Sequence, residues 1–182
     1  DVQKAIPALA SLAGGIGDPH VRARGTIGGS IANNDPAADY PAALVGLGAI
    51  VKTDRRDISA DDFFKDFFET ALEEDELVTA VEFPIPDQAA YIKFPNPASR
   101  YAIVGVFVSK TRDSVRLAVT GADPSVFRVP EMEVALATNF NPDILDGMSI
   151  DRDDFNNDIH ASAEYRAHLV VVMAKRAVAK AN

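Results

Sequence analysis

The 182-residue chain contains no cysteine and no tryptophan. Without cysteine, these residues can form no disulfide, no thiolate nucleophile, and no cysteine-ligated zinc or iron–sulfur cluster. Positive charge is also scarce, because 18 basic against 27 acidic residues give a formal net charge of −9. A surface this acidic repels phosphate backbones, so we expect no nucleic acid among the partners.

Long apolar runs are missing as well. None reaches the ~18 residues that a membrane-spanning helix needs, so no membrane span is expected. No signal or transit peptide is visible at the start of the sequence, and from this we expect a cytoplasmic protein. The remaining composition, 47% hydrophobic and 25% charged residues, is ordinary for a globular protein.

Local sequence patterns predict an α+β fold. Helical apolar spacing, with capping residues at the ends, predicts helices over residues 2–13, 42–47, 130–136 and 159–179. Runs of β-branched residues predict strands over residues 49–52, 77–85, 91–94, 102–110 and 114–120. A hairpin turn is expected at residues 111–114. Residues 17–39 are polar and punctuated by glycine, which predicts a long irregular loop of the kind that often carries function.

Further patterns suggest helix starts, a core cluster and a domain boundary. Asp35 and Asp39 both precede a proline closely and are interpreted as helix caps. A capping box at residues 59–62 precedes four phenylalanines, which we expect to anchor the core: Phe63, Phe64, Phe67 and Phe68. The prolines at positions 84 and 86 mark a boundary between two lobes, residues 1–86 and residues 87–182.

Acidic clusters and histidines offer no metal site. The carboxylates of residues 73–76 and of residues 151–158 do not follow a calcium-loop pattern, so we expect solvated segments. Of the three histidines, only His160 has a partner at metal-binding spacing, Glu164, and two ligands do not make a site, which favours ordinary surface positions. No serine has a neighbouring histidine and aspartate to activate it, so no catalytic side chain is predicted.

The most informative segment is a pair of glycines flanked by hydroxyl residues, Thr26-x-Gly28-Gly29-Ser30. Glycine leaves its backbone N–H groups open to a close ligand, and the hydroxyls add donors, so the segment could hold a phosphate or pyrophosphate. It matches neither the P-loop nor the Rossmann fingerprint. On these residues alone, a tight turn without a ligand remains the alternative.

A longer string identifies a family. Residues 26–41, which read Thr-Ile-Gly-Gly-Ser-Ile-Ala-Asn-Asn-Asp-Pro-Ala-Ala-Asp-Tyr-Pro, closely resemble the second FAD-binding motif of the medium subunits of molybdenum hydroxylases. This family includes carbon monoxide dehydrogenase, xanthine dehydrogenase and aldehyde oxidase-type enzymes. Residues 16–22, 75–84 and 93–106 resemble the flanking segments of the same subunits, so the similarity extends to about residue 129.

The resemblance implies a fold in two parts. Residues 1–86 would be the second half of a PCMH-type FAD-binding domain. Residues 87–182 would be the flavoprotein C-terminal domain, a small antiparallel sheet packed on helices. The family's N-terminal subdomain, with its Ala-Gly-Gly-x-Ser/Thr-Leu loop, has no counterpart in these residues. Ala13-Gly14-Gly15 has similar letters, but it follows a predicted helix and is interpreted as a helix stop.

The resemblance also implies cofactor contacts. The FAD pyrophosphate and ribityl region would be held by Thr26, Gly28, Gly29 and Ser30, with Asn33 in the same loop. An aspartate matching Asp39 would accept a hydrogen bond from hydroxyls of the cofactor. The strand that lines the ring system would include Leu77 and Val78, and Tyr101 would lie beside the isoalloxazine.

The function implied is that of an oxidoreductase subunit within a hetero-oligomer. Such a subunit would pass electrons from the iron–sulfur clusters of a small partner subunit, through FAD, to an external acceptor. A large partner subunit would carry the molybdenum cofactor. Two alternatives remain: a flavin-free assembly or scaffold module of the same fold, and a self-contained flavoenzyme of the vanillyl-alcohol-oxidase type. The family-like sequence after Pro86 argues against the second alternative.

Overall fold

The structure is a computed structural model that describes residues 1–150 and 154–181. The N-terminal lobe contains six short helices: α1 (Val2–Ala5), α2 (Pro7–Gly14), α3 (Pro19–Arg24), α4 (Ile27–Asn33), α5 (Tyr40–Leu47) and α6 (Ala60–Phe63). Its strands are β1 (Ile50–Thr53), β2 (Asp57–Ser59), β3 (Phe64–Asp66), β4 (Glu69–Thr70) and β5 (Val78–Glu82). They form a three-stranded sheet in the order β2-β1-β5 and a separate β3-β4 hairpin.

The C-terminal lobe is a four-stranded antiparallel sheet in the order β6-β7-β8-β9. Its strands are β6 (Gln88–Pro95), β7 (Ala102–Lys110), β8 (Val115–Thr120) and β9 (Phe127–Arg128). Helix α7 (Pro130–Thr138), a 3₁₀ helix (Pro142–Leu145) and helix α8 (Ala163–Ala181) complete the lobe. The sequence correctly predicted the β7–β8 hairpin, in which Lys110 pairs with Val115, and its separation from the sheet that contains β5.

The C-terminal sheet is covered on both faces. On one face, Val104, Val106 and Val108 of β7 belong to a core cluster with residues of α7 and α8. On the other face, Phe107 lies in a cluster with residues of α2 and α5 from the N-terminal lobe. Side chains of a strand alternate between its faces, so one strand serves both cores. The two lobes therefore share a hydrophobic interface.

Helix α5 is the central element of that interface. Every residue from Pro41 to Leu47 is buried, and the helix ends at Gly48, whose φ of 67° is left-handed. Because α5 is apolar on all sides, it is stable only when it is enclosed by other elements. Gly46 allows its closest approach to the sheet, since a Cβ there would lie 2.8 Å from Cδ1 of Phe107.

Residues 17–39 are not the long irregular loop that the sequence predicted. They contain α3, whose first turn is capped by the Asp18 carboxylate, and α4, whose first turn is capped by the Thr26 hydroxyl. Of the two predicted helix starts, Asp39 does occupy the N-cap position of α5, whereas Asp35 begins no helix. Asp35 accepts a hydrogen bond from the Ala37 N–H and forms a turn, while Asp39 makes no side-chain cap bond to α5. The predicted helix over residues 2–13 is broken at Ile6, just before Pro7.

The four phenylalanines do not act together as core anchors. Phe63 and Phe64 are buried, but Phe67 and Phe68 are 61% and 49% exposed. Helix α6 ends at Phe63, and the chain then enters the β3–β4 hairpin, which carries the other two rings at its tip. The expectation failed because it assumed one helical period over residues that the structure divides between a helix and a hairpin.

One residue of the expected solvated segment 73–76 is in fact buried. Glu76 is 6% exposed, and its carboxylate accepts hydrogen bonds from Arg56 at 2.9 and 3.0 Å and from the Thr53 hydroxyl at 2.7 Å. These bonds, with one from the Glu73 N–H, lower the pKa of Glu76 from 4.5 to about 2. Among the described residues, no helix is long and apolar enough to cross a membrane.

We predict that Gly46→Ala destabilises the protein. The added methyl would meet the buried Phe107 ring, and overpacking of this kind costs about 1–3 kcal/mol, which lowers Tm by about 2–12 °C in a chain of this size. Gly14→Ala is the matched control, because a Cβ at this helical glycine meets nothing within 4 Å. Thermal unfolding of both variants checks the prediction, which is wrong if Gly46→Ala is as stable as Gly14→Ala.

We predict that Glu76→Gln lowers Tm at neutral pH and that this difference disappears in acid. A lowered pKa means that the ionised carboxylate favours the folded state, so the stabilisation is present above pH 4.5 and is lost as pH falls towards about 2. Thermal melts of the variant and the wild type across this range measure the effect. Glu74→Gln removes a neighbouring exposed carboxylate and should leave Tm unchanged. A Tm difference that stays constant with pH would contradict the assignment.

Candidate cofactor site

A cavity of about 680 Å³ lies where helices α2 to α5 meet the start of β7. We call it the α4 cavity. Its walls include the following residues: Ala13, Ile16, Val21, Arg22, Arg24, Gly25, Thr26, Gly29, Ser30, Asn33, Asp35, Ala38, Asp39, Tyr40 and Tyr101. Its volume is typical of a small-molecule pocket. Residues of both lobes line it, because Tyr101 comes from the C-terminal lobe.

The first turn of α4 forms part of the wall of this cavity, through Thr26 and Gly29. The Thr26 hydroxyl accepts a hydrogen bond from the Gly29 N–H at 3.0 Å, which caps the helix. The first N–H groups of a helix, here those of Ile27 and Gly28, have no acceptor within the helix. Gly29 has no side chain to cover the backbone at this point of the wall. A Cβ there would lie only 3.0 Å from the Thr26 hydroxyl oxygen. An anionic group could therefore approach the backbone closely.

Two arginines give this part of an acidic protein a positive charge. Arg22 and Arg24 both line the cavity and belong to the last turn of α3. The Arg22 guanidinium donates to the carbonyl of Ile16 at 2.7 Å, which holds it against the cavity wall. A cavity wall lined by positive charge favours an anionic ligand.

A buried carboxylate also lines the cavity. Asp39 precedes α5 and is only 4% exposed. Its carboxylate accepts hydrogen bonds from the Tyr91 hydroxyl and, at 2.8 Å, from the Lys93 ammonium. Burial raises the pKa of Asp39, and the opposing effect of Lys93 limits the increase. Burial and the Asp39 charge also raise the pKa of Tyr91 well above its ordinary value.

Tyr101 lies between two cavities. It is half-buried and lines both the α4 cavity and a second one of about 360 Å³, which we call the hairpin cavity because Phe67 and Phe68 contribute to it. Asn96 shapes the segment before Tyr101: its side-chain oxygen accepts from the N–H groups of Ala98 and Ser99, and its own N–H donates to the Tyr101 carbonyl at 2.8 Å.

Asn34 fixes the hairpin next to α4. It ends α4 in a left-handed conformation with φ of 44°. Its side-chain amide donates to the carbonyls of Asp66 and Glu69, both at 2.8 Å. Because Asp66 and Glu69 flank the hairpin tip, these two bonds hold Phe67 and Phe68 at the edge of the hairpin cavity.

The structure brings together most of the residues that the sequence assigned to the site. Six of them line the α4 cavity: Thr26, Gly29, Ser30, Asn33, Asp39 and Tyr101. Three of them do not. Gly28 faces Val78 instead, since a Cβ at Gly28 would lie 3.8 Å from the Val78 side chain. Leu77 is 66% exposed and contributes to neither cavity.

Sequence reasoning missed four residues of this region. Arg22 and Arg24 carried a usable signal, because two arginines follow the Asp18-Pro19 helix start and close the same short helix. Tyr91 and Lys93 carried only a weak signal. They are two residues with polar end groups, two positions apart in a predicted strand, which places them on the same face. Their partner Asp39 is more than fifty positions away in the sequence, and nothing local to β6 identifies it.

Metal-binding groups are not part of this site. In residues 1–150 and 154–181, no three His, Asp or Glu side chains come together in an arrangement that could hold a metal ion. Residues 151–153 of the acidic segment 151–158 lie outside the described residues. Asp158 of the same segment pairs with the buried Arg166 at 2.7 Å.

Comparison with known proteins identifies the class. The family model "FAD binding domain in molybdopterin dehydrogenase" matches residues 1–86, and the model "CO dehydrogenase flavoprotein C-terminal domain" matches residues 89–181. The fold and the site are therefore those of the FAD-binding subunit of a molybdenum-containing oxidoreductase. The second match continues well beyond residue 129, where the similarity read from the sequence ended.

Individual relatives agree with these models. The chain is 35% identical over 195 residues to the nicotine 6-hydroxylase medium subunit of Paenarthrobacter nicotinovorans, and the match covers all of this chain and 69% of that protein. It is 31% identical over 191 residues to the glyceraldehyde dehydrogenase medium chain of Sulfolobus acidocaldarius, with coverage of 97% and 68%. The CO dehydrogenase structure from Oligotropha carboxidovorans superimposes with a TM-score of 0.85 at 28% identity, covering 99% of this chain and 68% of that one.

The chain belongs to the family of medium, FAD-binding subunits of molybdenum hydroxylases of the carbon monoxide dehydrogenase type. It is thus part of an oxidoreductase, and FAD is the cofactor of its family. The fold class predicted from the sequence is confirmed.

Proposed function

We propose that this chain is the FAD-carrying electron-transfer subunit of a molybdenum-containing hydroxylase or dehydrogenase. It takes electrons from the iron–sulfur clusters of a small partner subunit and delivers them to an external acceptor. A large partner subunit carries the molybdenum cofactor. This proposal is supported by relatives that are medium subunits of a hydroxylase and of a dehydrogenase. A cytoplasmic location remains a prediction.

The α4 cavity is the observation that carries the proposal. It combines the three kinds of surface that FAD requires. The hydroxyls of Thr26 and Ser30 and two arginines suit a pyrophosphate. A buried carboxylate suits sugar or ribityl hydroxyls, and the Tyr101 ring suits the flat isoalloxazine. The residues present therefore fit the cofactor.

Each of the six cavity residues that the sequence assigned to the site has a proposed task. The Thr26 and Ser30 hydroxyls and the backbone around Gly29 bind the pyrophosphate, and Asn33 donates from the same helix. The Asp39 carboxylate accepts from a cofactor hydroxyl, and Tyr101 orients the ring system. Bound FAD supplies the redox chemistry, while the protein supplies binding, orientation and electrostatics. Contacts from Gly28, Leu77 and Val78 remain predictions, and these residues lie outside the α4 cavity.

Flavin content tests the proposal directly. The full-length subunit should show the flavin absorption band after purification. Acid denaturation should release about one FAD per chain, the ratio expected for a single site. A purified subunit without flavin that also fails to take up added FAD would contradict the proposal. It would support the flavin-free assembly module instead.

We predict that Gly29→Val weakens FAD binding by about tenfold to a hundredfold. The new side chain would push against the Thr26 hydroxyl and keep the ligand away from the backbone, and a charge-assisted hydrogen bond is worth about 1.5–3 kcal/mol. Fluorescence titration of the flavin-free full-length subunit with FAD measures the change.

Gly28→Ala is the matched control for this prediction. Its methyl would make only an ordinary contact with Val78 and would point away from the cavity. We expect its FAD affinity to stay close to that of the wild type. If Gly29→Val binds FAD as tightly as Gly28→Ala does, the first turn of α4 is a structural feature and does not bind the pyrophosphate.

A further inference from the structure

We infer that Lys93 is a positioning residue of the cofactor site: it keeps Asp39 ionised and oriented, so that the carboxylate can accept a hydrogen bond from a hydroxyl of the ligand. The inference rests on the proposed function, because it explains how Asp39 can bind a hydroxyl of FAD in the α4 cavity. Lys93 itself does not line the cavity and acts through Asp39.

Lys93 and Tyr91 reach Asp39 from the same face of β6. Residues two positions apart on a strand point to the same side. Ile92 and Phe94, on the opposite face, pack against the core cluster that contains α8. Tyr91 and Lys93 therefore point towards α2 and the start of α5, where Asp39 lies. Each of the two side chains binds a different oxygen of the Asp39 carboxylate.

Lys93 has two acceptors that belong to different helices. Its ammonium donates to the Asp39 carboxylate at 2.8 Å and to the carbonyl of Gly15, at the end of α2, at 2.9 Å. The Lys93 side chain is 13% exposed and that of Asp39 is 3% exposed, so solvent screens their attraction only weakly. The ammonium is thus held in place independently of Asp39.

The sheet leaves room for this arrangement. Lys93 pairs with Gly105 on β7, and a Cβ at Gly105 would overlap the Tyr91 hydroxyl. The Tyr91 ring stacks on Phe107, with centroids 6.3 Å apart, which fixes the direction of the hydroxyl. A glycine opposite Lys93 therefore allows the tyrosine to reach Asp39 over the surface of β7.

The charge balance around Asp39 depends on Lys93. The titratable groups that face Asp39 are Tyr40 on α5 together with Tyr91 and Lys93 on β6, and of these only Lys93 is cationic. Asp35, Arg22 and Arg24 line the same cavity. A buried carboxylate without a cationic partner takes up a proton, because burial disfavours its charged form. A protonated Asp39 becomes a donor at one oxygen and is a weaker acceptor than the carboxylate.

The test is the pH dependence of FAD binding in Lys93→Met. In the flavin-free full-length subunit, the wild type should bind FAD with an affinity that varies little between about pH 6 and about pH 8. Without Lys93, the pKa of Asp39 rises further, so the carboxylate is protonated at the lower pH and ionises as pH increases. The dissociation constant of Lys93→Met for FAD should therefore be about tenfold higher at the acidic end, and the loss should recover towards alkaline pH.

Two further variants separate positioning from a general loss of structure. Lys52→Met removes a lysine that pairs with Asp57 and Glu82 on the N-terminal sheet, and it should keep the flat pH profile of the wild type. Lys93→Arg keeps the positive charge and should also give a flat profile, even where its affinity is lower. If Lys93→Met does not fold, Lys93→Gln replaces it, because an amide can still donate to the Gly15 carbonyl.

The outcomes distinguish this inference from the proposed function. A flat profile for Lys93→Met and Lys93→Gln, parallel to that of the wild type, overturns the role of Lys93. A wild type that binds no FAD at any pH overturns the proposed function. In that case, carbon-13 NMR titration of the Asp39 carboxyl in the flavin-free protein decides about Lys93. A pKa of Asp39 that rises in Lys93→Met supports the inference, and an unchanged pKa overturns it.

Discussion

The enclosure of helix α5 between the C-terminal sheet and the N-terminal lobe is the constraint on which the rest of the structure depends. The helix is buried along its length, and Gly46 brings it into direct contact with Phe107. A fully apolar helix gains its stability from packing on every side, so its position is fixed by both lobes together. Asp39 immediately precedes α5, and the geometry of the candidate cofactor site therefore follows from the packing of the core.

The segment before Asp39 is tied to the C-terminal lobe in the same way. The Thr120 hydroxyl donates to the carbonyls of Pro36 and Ala38 at 2.9 and 2.7 Å, and the Gly121 N–H donates to the Pro36 carbonyl at 2.8 Å. These bonds satisfy backbone groups that would otherwise need water. The Asp-Pro-Ala-Ala-Asp part of the family motif is therefore held by residues more than eighty positions away, and the two lobes form one wall of the site.

The features that the sequence predicted correctly are those that local physics determines. The β7–β8 hairpin follows from two β-branched runs and a short turn, and the end of α5 follows from Gly48. Features that depend on residues far away in the sequence were either not predicted or predicted wrongly. The burial of Glu76 depends on Arg56, and the exposure of Phe67 depends on a hairpin anchored by Asn34. Composition and periodicity within a segment contain no information about such partners.

The electrostatics of the site contrast with those of the whole chain. The protein carries a formal charge of −9, yet the cations Arg22, Arg24 and Lys93 lie in or directly behind the α4 cavity. The arginines stay near solvent, where they can meet an incoming anion, whereas Lys93 is committed to Asp39 and to the end of α2. A buried ion pair adds little to stability but fixes geometry, because neither charge can move without losing its partner. The Lys93–Asp39 pair thus connects α2, α5 and β6 at the point where the family motif, residues 26–41, meets the C-terminal lobe.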